Sequence, residues 1–522
     1  MLYVSILLEL LRTRPALTVW IAAGAQAAVW VLVPALFYSG PPGNLPTLLA
    51  VGHEFQLGTY LGPPLAFWLA EVAFRLTGRS LFAVYALSQI CVVVTYWAVF
   101  RLGRVIVGVQ QAAMAVLLMI GISTVTAATP EFGPAVLAMP LWALALLHYW
   151  LVVEEKRSGY AIALAADVGL ILLTTYAGAV LVGLLVLFTC VSPRTRPKLR
   201  SADLWPAGIV AALLLIPHVY WIVKTNDEFF QIFGRLRAAE SVSGNFTAWL
   251  RQLLLLLGAH AGLIVLVGIV IGFPWTKDGP APVIARRAVD PFARQFVYFF
   301  ATMPALLATV VGVVAGLPGP VGGIAPLVLL SGLAVVIAAG DAIALTHQRV
   351  AIAAWFGLLL VPPALAVLAL LVFPWFGLDL AINQPADAMA RFFADSFQRR
   401  VGKELPIVAG EPRTAALIGL AASRPSLYLD ATPAHSPWVS SRDVATKGAI
   451  VVWPTTDTAG APPPEIKERF PDIVPEVPRA FERAVQGRLP LLRIGWALIR
   501  PQAQPDSSAP AAPSPPAAAP KR

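Results

Sequence analysis

Apolar residues run in long blocks along most of this chain, and the polar residues gather in the gaps between them. The first block, Ala16 to Phe37, follows Arg12 and Arg14; others lie near 81–100, 111–129, 134–152, 160–176, 178–191, 207–223, 252–273, 296–316, 324–340 and 350–373. A helix crossing a bilayer needs about 20 apolar residues, so each block reads as a span or most of one. The pattern predicts a polytopic α-helical membrane protein with about 11 transmembrane helices. The first block is too long for a signal peptide and no small-residue cleavage motif closes it, so it is expected to remain as a span. Between the first two blocks lies a longer connection, Tyr38 to Gly78. Within it Thr47–Leu57 suits a short helix lying on the membrane surface, and Pro63 and Pro64 seed a second juxtamembrane helix, because proline fits a first helical turn. That segment, Leu65–Leu76, is expected to place Phe67, Trp68 and Phe74 at the membrane interface, where aromatics anchor.

The texture changes after Trp375. Leu405–Gly410, Ser426–Asp430 and Gly448–Trp453 are short apolar runs closed by Gly, Asp or Pro, as buried strands are. The residues from Glu411 to Ser423 suit a helix between the first two. The expected organisation is a transmembrane region over 1–375, a small α/β domain over 376–500 and a disordered Pro/Ala-rich tail over 501–522.

Composition sharpens this picture. Apolar residues make up 58% of the 522 and charged residues only 13%, whereas a soluble globular protein has about half and about a quarter. A cytosolic enzyme, a disordered chain and a collagen-like fibre are excluded. Cys91 and Cys190 both lie inside apolar blocks, which excludes a disulfide framework. The net charge of +10 resembles a nucleic-acid signature until the charges are placed. With the N-terminus inside, the inner connections carry about 15 Arg and Lys and the outer ones about six. The basic balance is thus a topology signal, with no nucleic-acid partner implied. An odd number of spans then puts the α/β domain on the outer face, the periplasm if the membrane is a bacterial inner membrane.

Ionisable groups inside the blocks are few. Asp167 lies in 160–176, Lys224 and Asp341 stand at block ends, and His148, His218 and His260 are scattered singly. No metal-ligand spacing, phosphate loop or nucleophile elbow occurs, so no cofactor is called for. Polar material concentrates instead in the first outer loop, Gly40-Pro-Pro-Gly-Asn-Leu through Gly52-His-Glu-Phe-Gln-Leu-Gly to Gly62-Pro-Pro-Leu-Ala-Phe-Trp-Leu, and in a second outer turn, Thr129-Pro-Glu-Phe-Gly-Pro. Both also read simply as proline-stiffened connections carrying solvated acids.

The order of these loops resembles the C-type superfamily of membrane glycosyltransferases, in the branch related to protein O-mannosyltransferases and bacterial aminoarabinose transferases. One bacterial subgroup has an aspartate eight residues before Gly-x-Glu-Trp-Gln-Leu-Gly, then His-Pro-Pro-Leu. The resemblance implies transfer of a sugar from a polyprenyl-phosphate carrier to an envelope glycan, lipid or protein, at the outer face of the bilayer and with inversion at the anomeric carbon. It implies an acid in the first loop to assist the acceptor and cations to receive the lipid phosphate. Two departures stand out. Eight residues before Gly52 is Asn44, an amide rather than a base, and the histidine of the Pro-Pro motif is Gly62. Glu54 and Glu131 are therefore the catalytic candidates, with Asn44 at the family's aspartate position. His53, Tyr60, Pro63, Pro64, Arg75, Lys224 and Arg235 are the expected substrate-binding residues, although lipid-headgroup contact suits each of the cations equally well. Two other functions stay open: a catalytically silent relative that binds a lipid-linked sugar or acts as a scaffold, suggested by Asn44 and Gly62, and a transporter or flippase. No internal repeat supports the last.

Overall fold

The computed structural model describes residues 2–127, 129–155, 158–197, 204–225, 242–271, 283–314, 317, 319–345, 347–429 and 435–502. The chain forms two compact units, Met1–Ala390 together with Ala480–Leu492, and Arg391–Arg479 together with the chain from Arg493 onward.

The first unit is helical. Its first eleven helices are α1 (Leu2–Thr13), α2 (Pro15–Phe37), α3 (Leu45–His53), α4 (Leu65–Leu76), α5 (Leu81–Val107), α6 (Val109–Leu118), α7 (Ser123–Thr126), α8 (Pro134–Glu155), α9 (Ser158–Thr174), α10 (Gly178–Val191) and α11 (Leu204–Lys224). Helices Val242–Ala259, Ala261–Ile271, Pro291–Val314, Ser331–Ala338 and Gln348–Val372 follow. Among the described residues six helices are long and apolar enough to cross a membrane. The pair Phe246–Ala259 and Ala261–Ile271, bent by 55°, qualifies as a seventh, and four shorter apolar helices accompany them.

Local sequence sets several of these ends. Pro15 occupies the first turn of α2, and the Ser80 hydroxyl accepts from Phe82 N to cap α5. On α11, Trp205, Ile209, Leu213, Ile216, Tyr220 and Val223 recur at helical spacing and are all exposed, Trp205 at 81%. An apolar stripe of that length left uncovered is what a lipid-facing helix presents.

The first loop departs from its sequence expectation at both ends of the surface helix. Helix α3 starts at Leu45, with Pro46 in its first turn, and stops at His53 because Phe55 adopts φ +47. The aromatic side chains of α4 also turn inward. Phe67 and Phe74 are buried in the protein and Trp68 Nε1 donates to Gln56 O at 2.9 Å, so packing within the unit holds them in place of the expected interfacial anchoring.

The limit of this unit lies beyond the last apolar block. Arg483 grips the Asp379 carboxylate with Nε and Nη2 at 2.9 and 2.8 Å, and Asn383 exchanges two hydrogen bonds with the Val485 backbone. These bonds draw 376–390 and 480–492 into the helical unit.

The second unit holds a five-stranded sheet of β3 (Ile407–Gly410), β4 (Ser426–Leu429), β5 (Ala449–Thr455), β6 (Pro475–Phe481) and β7 (Leu492–Ile499) in the order β4-β3-β5-β7-β6. Strands β3, β4 and β5 run parallel and β7 is antiparallel to β5. Continuous burial of β3 and of the first five residues of β5 accounts for their unbroken apolar sequence. A short antiparallel pair, β1 (Val283–Ala285) with β2 (Ala342–Ala344), belongs to the helical unit. The tail from 503 lies outside the described residues.

Candidate active site

The start of α3 leaves main-chain N–H groups to satisfy, and of these Leu45 N donates to Pro42 O at 3.2 Å. The Asn44 side chain does not cap them. The Glu131 carboxylate reaches across from the turn before α8, and its Oε1 accepts from Asn44 N at 2.9 Å. Gly43 makes room for it. The backbone there has φ +51, and a Cβ at this position would overlap the carboxylate. Two of the three residues expected to carry chemistry, Asn44 and Glu131, are thus brought into contact. Glu131 remains exposed, which leaves its carboxylate open to a ligand.

The turn bearing Glu131 is held from inside the helical bundle. Gln89 Nε2 donates to Thr129 Oγ1 at 2.9 Å, Ser88 Oγ donates to Thr129 O, and Thr129 Oγ1 donates to Thr126 O at 2.6 Å. One turn earlier in the chain, Gln26 Nε2 donates to Val125 O at 3.0 Å, while Tyr96 OH donates to Gln26 Oε1 at 2.6 Å. All five of these side chains are buried. Buried polar groups in an apolar setting persist when they are paired, and here the pairing fixes the backbone leading to Pro130 and Glu131. Sequence reasoning missed this network, although Gln26, Ser88 and Gln89 were visible as polar breaks in apolar blocks.

A second polar cluster locks α3 to α4. Glu71 is 0% exposed. Arg75 Nε donates to Glu71 Oε1 at 2.6 Å, its Nη2 reaches His53 Nδ1 at 2.8 Å and His53 O at 3.4 Å, and its guanidinium lies over the Phe55 ring at 4.9 Å. A guanidinium only donates, so His53 Nδ1 accepts from Arg75. The 3.2 Å approach of that same nitrogen to Glu71 Oε1 is then a contact between two acceptors, held together by the arginine. His53 and Arg75, both expected substrate ligands, are joined through a glutamate the sequence reading left unassigned.

The stretch after α3 rests against α11. Thr59 and Gly62 bridge one another, Gly58 packs face to face with the Trp221 indole, and His218 Nδ1 donates to Leu57 O at 2.8 Å. The imidazole is stacked between Tyr176 and Trp221, with ring centroids at 5.8 and 5.7 Å. Its Nε2 receives the Tyr176 hydroxyl at 3.2 Å. His148 and His260 are likewise partnered, by Asp167 at 2.6 Å and by Ser331 at 2.9 Å; none of the three stands alone, as their isolation in the sequence had suggested.

The remaining candidates spread around these contacts. Pro63 and Pro64 are buried at the start of α4, Tyr60 is half-buried, and Lys224 is exposed at the end of α11, one turn beyond Trp221. Glu54 is half-buried at the opposite end of α3 from Asn44, about 15 Å along the axis at 1.5 Å per residue. Arg235 lies outside the described residues. Among the described residues no group of three His, Cys, Asp or Glu side chains is placed to hold a metal ion.

This geometry can be set beside known proteins. A family model described as dolichyl-phosphate-mannose-protein mannosyltransferase matches residues 62–221, from the Gly62-Pro-Pro turn through Glu131 to Trp221. No curated protein sequence matches. Among solved structures, ArnT from Cupriavidus metallidurans bound to undecaprenyl phosphate aligns with a TM-score of 0.58 at 13% identity, over 92% of this chain and 97% of that one. The apo form aligns with a TM-score of 0.54 at 12% identity, over 92% and 98%. Archaeal oligosaccharyltransferase AglB from Archaeoglobus fulgidus, in complex with an inhibitory peptide and a dolichol-phosphate, gives 0.42 at 13% identity, over 85% and 70%. The chain resembles the C-type superfamily of membrane glycosyltransferases, in sequence over 62–221 and in fold over most of its length.

Proposed function

We propose that this protein is a membrane glycosyltransferase that moves a sugar from a polyprenyl-phosphate carrier to an envelope glycan, lipid or protein at the periplasmic face of a bacterial inner membrane. The observation that carries this reading is the contact of Glu131 with the Gly43–Asn44 backbone, which joins the two loops where the superfamily places its acids. The ArnT likeness in fold and the family match across 62–221 support it, as does the Arg and Lys bias of the connections.

In this reading the acceptor hydroxyl lies against the Glu131 carboxylate, which orients it and takes its proton as the oxygen attacks the anomeric carbon. The bond from that carbon to the phosphate oxygen breaks, and polyprenyl phosphate departs with the electron pair. A departing phosphate monoester needs cationic donors, and Lys224, exposed beside the loop that packs on Trp221, supplies one. Asn44 then contributes its main-chain N–H, which holds Glu131 in place whatever its side chain is. That removes the difficulty of an amide at the family's aspartate position. The Glu71–Arg75–His53 cluster keeps α3 and α4 in register beneath the site.

The test is transfer itself. Purified protein in proteoliposomes, given radiolabelled polyprenyl-phosphate hexoses and pentoses with an envelope-lipid and glycan acceptor set, is expected to form labelled product. Absence of product with every donor, alongside retained donor binding, would instead favour the silent lipid-sugar binder.

A further inference from the structure

We infer that the C-terminal unit carries a ligand site of its own, a cavity at the switch point of its parallel strands that takes an uncharged, hydroxyl-rich ligand of saccharide size. Its basis is independent of the transfer reaction. The chain runs from β3 out to β4 on one side, then crosses to β5 on the other. Loops leaving the carboxyl ends of β3 and β5 therefore diverge, and in open parallel sheets such a point is where ligands settle. A cavity of about 810 Å³ lies there, bounded by Gly410 at the end of β3, Trp453 and Pro454 on β5, and the Pro464–Arg469 helix. That volume suits a small ligand.

The ending of β3 is shaped for the opening. Gly410 has φ +118 and passes so close to Val452 O that no side chain fits. Glu411 follows, and its carboxylate occupies the start of the Pro412–Ile418 helix, accepting from Arg413 N at 3.0 Å, Thr414 N at 2.7 Å and Thr414 Oγ1 at 2.5 Å. The amides that would hold a phosphate in such a fold already hold an anion belonging to the chain. Glu465 and Glu468 add further negative charge to the wall against Arg469 and His435. An anionic ligand is disfavoured twice over. Vicinal hydroxyls, by contrast, donate to carboxylates and accept from a guanidinium. Trp453 and Ile466 border the cavity with apolar surface, the Trp453 indole seated against Gly495 on β7.

The test uses the full chain in nanodiscs and hydrogen exchange read by mass spectrometry. A neutral hexose disaccharide at millimolar concentration is expected to protect 410–414 and 464–469, and hexose 6-phosphate is not. Glu465→Gln with Glu468→Gln, both exposed and so tolerated by the fold, should weaken the disaccharide effect about tenfold. No protection by the disaccharide, equal protection by the phosphate, or an effect unchanged in the double variant overturns the inference. Transfer activity plays no part in this readout, so the two proposals fail separately.

Discussion

Glu131 Oε1 receives the main-chain N–H of Asn44 at 2.9 Å, a bond between residues 87 positions apart that ties two loops at one end of the helical unit. The acid is defined by its own turn and positioned by another segment's backbone. Gly43 is the hinge of that relationship, since its missing side chain is what admits the carboxylate.

Gly43→Ala should expel Glu131 and strain a backbone at φ +51. The cost expected for such overpacking is about 1–3 kcal/mol. It should appear as faster amide exchange over 45–53 and a loss of transfer in the same preparation. Unchanged exchange would show that the carboxylate does not hold the helix.

Arg75→Met removes the guanidinium that donates to the wholly buried Glu71 carboxylate at 2.6 Å. The arginine side of this pair is 47% exposed, so the loss is about 1–3 kcal/mol, below that of a fully buried pair, and appears as a fall in thermal midpoint. Glu71→Leu combined with Arg75→Met should recover part of that loss, because no buried charge remains. A double variant no better than the single would mean that packing, not charge, unites α3 and α4.

Gln26→Leu removes the donor to Val125 O and the acceptor for Tyr96 OH. With two buried partners left unpaired, a cost of about 1–3 kcal/mol each is expected, together with increased exchange at 123–127. Stability equal to wild type would argue that water replaces the glutamine.

In the C-terminal unit, hydrogen bonds from Lys447 and from the Ser440 hydroxyl and backbone hold the Asp443 carboxyl well below the usual carboxylate range. A lowered folded value means that the ionised group adds stability above about pH 4, the unfolded value, and that this is lost as pH falls through the folded value. Asp443→Asn is therefore expected to loosen the Ser441–Lys447 helix by about 1 kcal/mol at neutral pH. The difference from wild type should shrink steadily below about pH 4. Helix exchange at pH 7 and pH 3, corrected for intrinsic rates, checks the sign.

The apolar blocks made the helices legible, since burial in lipid demands long apolar runs whatever the tertiary packing. Leu65–Leu76 is a helix over the residues expected from Pro63 and Pro64. What the sequence concealed was direction. Phe67 and Phe74 have the composition of interfacial anchors, yet both are buried within the protein. Glu71 and Arg75 have the spacing of an exposed i,i+4 pair, yet the glutamate is sealed. Glu131 stood out as an acid between prolines, whereas its partner is a main-chain amide that no residue identity reveals. The end of the helical unit was hidden for a similar reason: Asp379 and Arg483 lie 104 positions apart, and only the folded chain pairs them.

The central claim, that Glu131 does chemistry beyond joining the loops, is best tested by Glu131→Gln. Glutamine keeps an oxygen to accept from Asn44 N but cannot take a proton, so the loop contact survives while the base is lost. The initial rate of sugar transfer from labelled polyprenyl-phosphate donor, measured in matched proteoliposomes with wild-type exchange over 45–53, is expected to fall by about 10²–10⁴-fold. A rate equal to wild type under those conditions would contradict the catalytic role and leave Glu131 as a structural tie.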